Sequence, residues 1–231
     1  MKVYKHIFFD LDRTLWDFDK SATQIFDEIF VKYNLLELGV PSVDSFKNTY
    51  KKHNDVLWSM YRDGKIIKEI LSVKRWFLTL EEFNILNGDI AAKISADYIT
   101  LSPLKVNLFP YTHEILNYLK PNYHLHLITN GFEEVQTVKL CSGDLRKYFD
   151  EVITSEMAGH KKPDARIFRF ALNKTGAKFD ESIMIGDDLR IDILGAKTVG
   201  IDQVYVNYEA EKHNESITFE IDNLKELENI F

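Results

Sequence analysis

The second half of the chain alternates between two kinds of pattern, and few folds can accept that alternation. From Leu104 onward, helix-patterned stretches near Tyr111 to Leu119, Glu133 to Cys141, Ala165 to Thr175 and Ile191 to Val199 are separated by short apolar runs. Those runs are His124 to Asn130, Glu151 to Ser155, Ser182 to Asp187 and Gln203 to Val206. Near-continuous apolar runs, rather than every-other-residue ones, read as strands buried on both faces. Strands of that kind joined through helices make a parallel sheet with helices on each side. The expected class is therefore α/β, a Rossmann-like doubly wound core, closed by a short strand at Ser216 to Ile221 and a helix at Leu224 to Ile230.

The first strand of this core lies at the other end of the chain, at Val3 to Phe9. It breaks into Asp10-Leu11-Asp12-Arg13-Thr14-Leu15. Residues two apart on a strand share a face, so Asp10 and Asp12 start out pointing the same way. Two such carboxylates repel unless a cation lies beside them. Beyond Leu15 the pattern is helical for a long way. Ala22, Ile25, Phe26, Ile29, Phe30 and Tyr33 recur at helical steps, with Ser21 or Asp19 as the expected N-cap, and further helical stretches run from Ser42 to about Ser102. Asp63-Gly64, Asn87-Gly88 and Pro103 punctuate them. The chain thus reads as a core of residues 1–15 and 104–231 with an all-helical insert, 16–103, between its first and second strands.

Composition narrows the function classes. Hydrophobic residues make up 45% of the 231, enough for a full core and unlike a disordered chain. Acidic residues outnumber basic ones by 36 to 29, a net charge of −7, which disfavours a nucleic acid polymer as partner because such binding needs a basic footprint. The single cysteine, Cys141, has no intrachain partner and no zinc-type cluster is present. No run reaches the roughly 18 apolar residues of a membrane span, and the N-terminus lacks a signal-peptide pattern. A cytoplasmic protein without membrane contact is expected, its oligomeric state open.

In open parallel sheets the ligand sits beyond the carboxyl ends of the strands. The residues found there are Asp10 and Asp12, then Thr129-Asn130-Gly131, then Lys161-Lys162-Pro163, then Gly186-Asp187-Asp188 through Asp192. Carboxylates without histidine or cysteine favour a hard cation, and Mg²⁺ suits a site with few carboxylates plus phosphate and water.

These residues resemble the four ordered motifs of the haloacid dehalogenase superfamily: Asp10-Leu11-Asp12-Arg13-Thr14, the Thr129 strand end, Lys162-Pro163, and Gly186-Asp187-Asp188 to Asp192. Leu127 to Phe132, Tyr148-Phe149-Asp150, Ser155 to Gly159 and Lys162 to Phe168 further resemble the bacterial pyrimidine 5′-nucleotidases that clear noncanonical nucleotides. The helical insert is similar to their cap.

The resemblance implies a Mg²⁺-dependent phosphoric monoester hydrolase acting on a small phosphorylated substrate, a nucleoside 5′-monophosphate. Asp10 is the implied nucleophile, forming an aspartyl-phosphate. Asp12 is the implied acid and base, and gives its backbone carbonyl to the metal. Asp10, Asp12 and Asp187 are the implied metal residues, with Asp188 and Asp192 as weaker or outer candidates. Asp188 is equally a helix N-cap. Lys162 offsets charge on the phosphoryl group and nucleophile, while Lys161 is a solvated neighbour. Thr129, with the amides of Asn130 and Gly131, binds phosphoryl oxygens. An acid at position 12 favours phosphoryl transfer over dehalogenation, since a halide leaves without a proton. Arg13 departs from the family, where glycine is common, and reads as a phosphate or cap contact or a solvated side chain. The aromatic residues Trp16, Phe18, Trp58, Tyr61, Trp76 and Phe77 read mainly as core, with base stacking as the alternative. A phosphatase of sugar phosphates or other small organophosphates is the second enzymatic reading. An inactive binding module would have lost part of the motif set, and Asp10, Asp12, Lys162 and Asp187 are all present.

Overall fold

In the computed structural model, residues 3–231 are described, and they divide into two compact units. One comprises the residues up to Phe18 together with Val106–Phe231, and the other is Asp19–Lys105.

The first unit is built on six parallel strands: β1 (His6–Phe9), β2 (His124–Thr129), β3 (Glu151–Thr154), β4 (Ser182–Gly186), β5 (Asp202–Val206) and β6 (Phe219–Ile221). Their spatial order is β3-β2-β1-β4-β5-β6. The chain builds outward from β1 to β3, then returns to the other side of β1 and builds outward again. β1 is thus the switch point, flanked in parallel register by β2 and β4. The crevice beyond the carboxyl ends of β1 and β4 is where such a sheet accepts a ligand.

Alternation along the strands separates two apolar layers. Ile7 and Phe9 join Ile183, Ile185, Leu125 and Leu127 against α5 (Thr112–Leu119) and the C-terminal 3₁₀ turns Leu224–Asn229. Phe8, Met184 and Ile128 face Ile167, Phe168 and Ala171 of α8 (Ala165–Thr175). Both faces are covered, which is why these strands carry so few polar residues. Helix α6 (Glu133–Ser142) follows β2, and a short α7 (Ser155–Ala158) follows β3.

The second unit holds α1 (Phe18–Lys32, whose first residue belongs to the first unit), α2 (Val43–Arg62), α3 (Lys68–Glu81) and α4 (Gly88–Leu101). Ser42 caps α2 and Asn87 caps α4 through their side chains, as their residue types favour. The core is aromatic: Phe26, Phe46, Tyr50, Trp76 and Tyr98 pack with ring centroids 4.2–6.1 Å apart. Trp76 is wholly buried and Tyr61 nearly so, as expected of core residues.

Several boundaries differ from the sequence reading. Strand β1 begins at His6 rather than Val3; Lys5, just ahead of it, still bonds to both neighbouring segments, its amide donating to Glu181 O and its carbonyl accepting from the His124 amide, both at 2.9 Å. Helix α1 begins at Phe18, so Asp19 and Ser21 lie inside it rather than capping it. The stretch from Leu189 opens as a wide π turn, Leu189–Leu194, before a single α turn at Gly195–Lys197. Such turns recur at functional sites. Among the described residues, no helix is long and apolar enough to cross a membrane.

Candidate active site

The loop after β1 is held by its own backbone. The amides of Leu15 and Trp16 both donate to the Leu11 carbonyl, at 3.0 and 2.9 Å, and the Arg13 amide donates to the Trp16 carbonyl at 2.8 Å. This tight return places Arg13 at φ 65°, the left-handed region that favours glycine. The departure of this sequence from the family pattern therefore falls on a position where a side chain costs backbone strain. The Arg13 guanidinium lies 4.9 Å from the Phe18 ring centroid.

Asp10 continues the β1 ladder through its amide, which donates to Ile185 O at 2.9 Å. Its carboxylate is nearly buried and accepts from Lys162 Nζ at 2.5 Å. Lys162, 1% exposed, reaches in from the loop ahead of α8. Its remaining contacts are Ile128 O at 2.7 Å and Asp192 Oδ1 at 2.6 Å. Two of the ammonium donors are hydrogen-bonded, to Asp10 and Ile128, and the Asp192 carboxylate is held as an ion pair. The lysine is aimed by Asn130, whose side chain donates to Lys162 O at 2.9 Å and accepts from Lys162 N at 2.8 Å. The Asn130 side chain is thus committed to the lysine, and only its backbone is left for the phosphate role that the sequence assigns it.

Wholly buried Thr14 ties β1 to β4. Its hydroxyl donates to Asp187 Oδ1 at 3.0 Å and accepts from the Asp187 amide at 3.1 Å. Carboxylate oxygens of Asp10, Asp187 and Asp192 lie within 4.8 Å of one another. Asp188 instead caps the following turn, accepting from the amides of Arg190 and Ile191 at 3.0 and 2.8 Å. Asp192, an outer candidate in the sequence, folds back so that Oδ2 accepts from the Asp188 amide at 3.2 Å. A Cβ at Gly186 would come within 2.5 Å of it, so this strand end must be glycine.

Asp12 does not share its side-chain environment with Asp10. Its carboxylate turns to α6, where it ion-pairs with Lys139 and accepts from Gln136 Nε2 at 2.8 Å. The same Gln136 nitrogen donates to Thr129 Oγ1 at 2.7 Å, and the Gly131 amide donates to that hydroxyl at 3.0 Å. A Cβ at Gly131 would lie 2.1 Å from Gln136 Nε2, so the glycine makes room for the glutamine.

Burial is the main force on the acids. It raises Asp10 to about 7, against the pull of Lys162 and with a further push from Asp192. Asp187 is raised well above the ordinary carboxylate value, by burial and then by Asp10 and Asp192. Asp192 is raised too, again chiefly by burial. Burial disfavours the Lys162 ammonium, yet Asp10 and Asp192 hold its pKa above the usual lysine value. Fully ionised, the carboxylates of Asp10, Asp12, Asp187 and Asp192 would carry two more charges than the ammonium groups of Lys139 and Lys162 beside them, which is the repulsion that the raised acids express. The donors are all oxygen. A hard divalent cation fits both the charge and the ligand chemistry.

Sequence reasoning missed Gln136 and Lys139 and left Thr14 without a role. The overlooked signal was an inverted helix face on α6: Gln136 and Lys139 are buried while Val138 is exposed.

The model of the haloacid dehalogenase-like hydrolases matches residues 7–206. The pyrimidine 5′-nucleotidase YjjG of Escherichia coli is 33% identical over 97% of this chain and 96% of its own. The pyrimidine 5′-nucleotidase PynA of Streptococcus pneumoniae is 30% identical over 97% and 93%. The HAD-hydrolase YfnB of Bacillus subtilis, solved with magnesium bound, superposes with a TM-score of 0.90 at 25% identity, covering 99% of each chain. With a family match that spans every strand that carries these residues, the chain belongs to the haloacid dehalogenase-like hydrolases.

Proposed function

We propose that the chain is a Mg²⁺-dependent phosphatase of nucleoside 5′-monophosphates, with pyrimidine nucleotides as the preferred class. The observation that carries the reading is the division of labour between two acids: Asp10 sits on Lys162 among the clustered carboxylates, while Asp12 is set apart against α6. One acid is free to attack and the other to move a proton. The likeness to two pyrimidine 5′-nucleotidases over nearly the whole chain supports the substrate class.

A carboxylate oxygen of Asp10 attacks phosphorus, and the bond from phosphorus to the ester oxygen breaks. The departing oxygen takes its proton from Asp12. Water then attacks the aspartyl-phosphate, gives a proton back to Asp12, and phosphate leaves with Asp10 restored. Lys162 stabilises charge on the phosphoryl oxygens, and Thr129, its hydroxyl braced by the Gly131 amide, orients them together with the Asn130 amide. The carboxylates of Asp10 and Asp187 and the Asp12 carbonyl would hold the divalent cation, which when bound supplies charge neutralisation at the phosphoryl group. Asp192, pinned to Lys162, sits beside that set. The helical unit is assigned the cap role and, with it, substrate choice.

The full chain with Mg²⁺ should release phosphate from pyrimidine monophosphates with kcat/KM at least about tenfold above sugar phosphates, and a chelator should abolish turnover. Preference for a sugar phosphate would replace the substrate class, and turnover unaffected by chelation would overturn the metal-dependent mechanism.

A further inference from the structure

We infer that Lys139 and Gln136 are positioning residues for proton transfer, a clamp on α6 that holds the Asp12 carboxylate and couples it to the phosphate-binding Thr129. The inference rests on the reading of Asp12 as acid and base.

Lysine and glutamine are three residues apart on α6, so they project from one helix face. That face is turned inward: Lys139 is 3% exposed and Gln136 1%. Burying an ammonium is costly unless it is paired, and the acid it pairs with is Asp12. The lysine has little room to leave, since its Nζ lies 5.6 Å from the Trp16 ring centroid and 5.4 Å from that of Phe18. The two donors grip opposite oxygens, Lys139 on Oδ1 and Gln136 on Oδ2. Two independent contacts leave the carboxylate no free rotation about its terminal bond.

Gln136 adds the coupling. Both hydrogens of its amide are spent, one on Asp12 and one on Thr129, while its own oxygen is buried with no hydrogen-bond partner. A buried amide oxygen without a donor costs free energy that packing alone does not require. The orientation is kept because it lets one nitrogen fix the proton-transfer group relative to the hydroxyl that meets the phosphoryl oxygens. The glycine at 131 serves the same end, since any larger residue would meet that nitrogen. During turnover Asp12 gives its proton to the departing oxygen and becomes a carboxylate beside the Lys139 ammonium, and the water that resolves the intermediate returns the proton.

A clamp of this kind is read by leaving-group dependence, which a purely structural residue would not alter. 4-Nitrophenyl phosphate releases a phenolate that needs no proton, whereas phenyl phosphate benefits from one. Because kcat/KM covers only the steps through leaving-group departure, the ratio of the two values isolates proton donation. In the full-length protein with Mg²⁺, Lys139→Met should raise that ratio by about tenfold, within the range general acid catalysis contributes. Lys139→Arg, which keeps a cation, should remain near the wild-type ratio. Gln136→Met should raise it less, and it carries the test if Lys139→Met does not fold, as judged by circular dichroism and cooperative melting. A rise below about threefold in the folded variants, with Asp12→Asn raising the ratio strongly, overturns the clamp and leaves the acid assignment intact. If Asp12→Asn leaves the ratio unchanged, or the wild type turns over neither ester, the underlying reading fails and the clamp with it.

Discussion

Buried cations occur in both units, and Lys162 and Arg75 are held in opposite ways. Lys162 in the α/β unit is surrounded by oxygens, two of them from carboxylates that are themselves crowded by further acids. Arg75 in the helical unit is 3% exposed, and among the described residues it pairs with no carboxylate. Its partners are the Asn54 side-chain oxygen at 3.0 Å, the Ser72 carbonyl at 3.4 Å, and the rings of Tyr50, Trp76 and Tyr98, 5.3–5.9 Å from the guanidinium carbon. Neutral and aromatic partners stabilise a cation without piling up opposite charge, an arrangement that serves packing. The lysine site keeps a surplus of negative charge that burial makes unfavourable, as its raised acids record. A fold retains such a conflict where chemistry uses it.

That contrast breaks most sharply at Asp10. Asp10→Asn should lower kcat by at least about 10³-fold, because it removes the nucleophile itself. The same change relieves carboxylate crowding and keeps an acceptor for Lys162, so the melting temperature should not fall. A folded variant with much of the wild-type rate would take the nucleophile role away, and a large loss of stability would mean that the crowded acids are structural after all.

Arg75→Met probes the other side. It leaves the Asn54 oxygen without its donor and removes the cation from three rings, so unfolding in urea should show a loss of about 2 kcal/mol. An unchanged midpoint would show that the aromatic nest does not depend on its cation.

The smallest effect lies at the opposite ends of the same strands. His126, buried on β2, has a ring nitrogen 3.1 Å from one of His6, stacks beside it, and has His124, Asp150 and Lys120 as charged or titratable neighbours. Burial, and then His6, lower its pKa to about 4. Below its unfolded value of about 6.5, the unfolded chain binds a proton that the folded one refuses, so this residue's contribution to stability falls as pH drops from about 6.5 toward 4. The raised acids of the active site act in the opposite sense, so the comparison must be between variants. Between pH 7 and pH 5.5, wild type should lose roughly 1 kcal/mol relative to His126→Phe, measured by urea unfolding at each pH. Parallel pH curves would remove His126 as the cause.

The sheet was legible from the sequence because buried parallel strands advertise themselves as unbroken apolar runs and their ends as abrupt polar ones. Asp10, Thr129 and Asp187 each follow or end such a run, so their convergence at the switch point could be anticipated before any coordinates. The helical insert was readable for a related reason, its apolar periodicity and the turn signals at Asp63-Gly64 and Asn87-Gly88 being local, whereas the caps at Ser42 and Asn87 emerged with the structure.

Sequence alone therefore gave the order of strands and helices and the candidate acids, lysine and hydroxyl at the strand ends, since periodicity and residue type are properties of neighbours in the chain. Tertiary structure alone decided how they pair. Asn130 meets the Lys162 backbone across 32 residues, Lys139 meets Asp12 across 127, and Asp192 swings from the turn after β4 onto Lys162. Such contacts depend on which way a side chain points once two elements have packed, and spacing along one strand said that Asp10 and Asp12 begin on the same face. The loop after β1 turns them apart, one toward Lys162 and one toward α6. The physical reason is that local pattern sets which surfaces are apolar, while partner choice among buried charges is settled by distances that exist only after those surfaces have met.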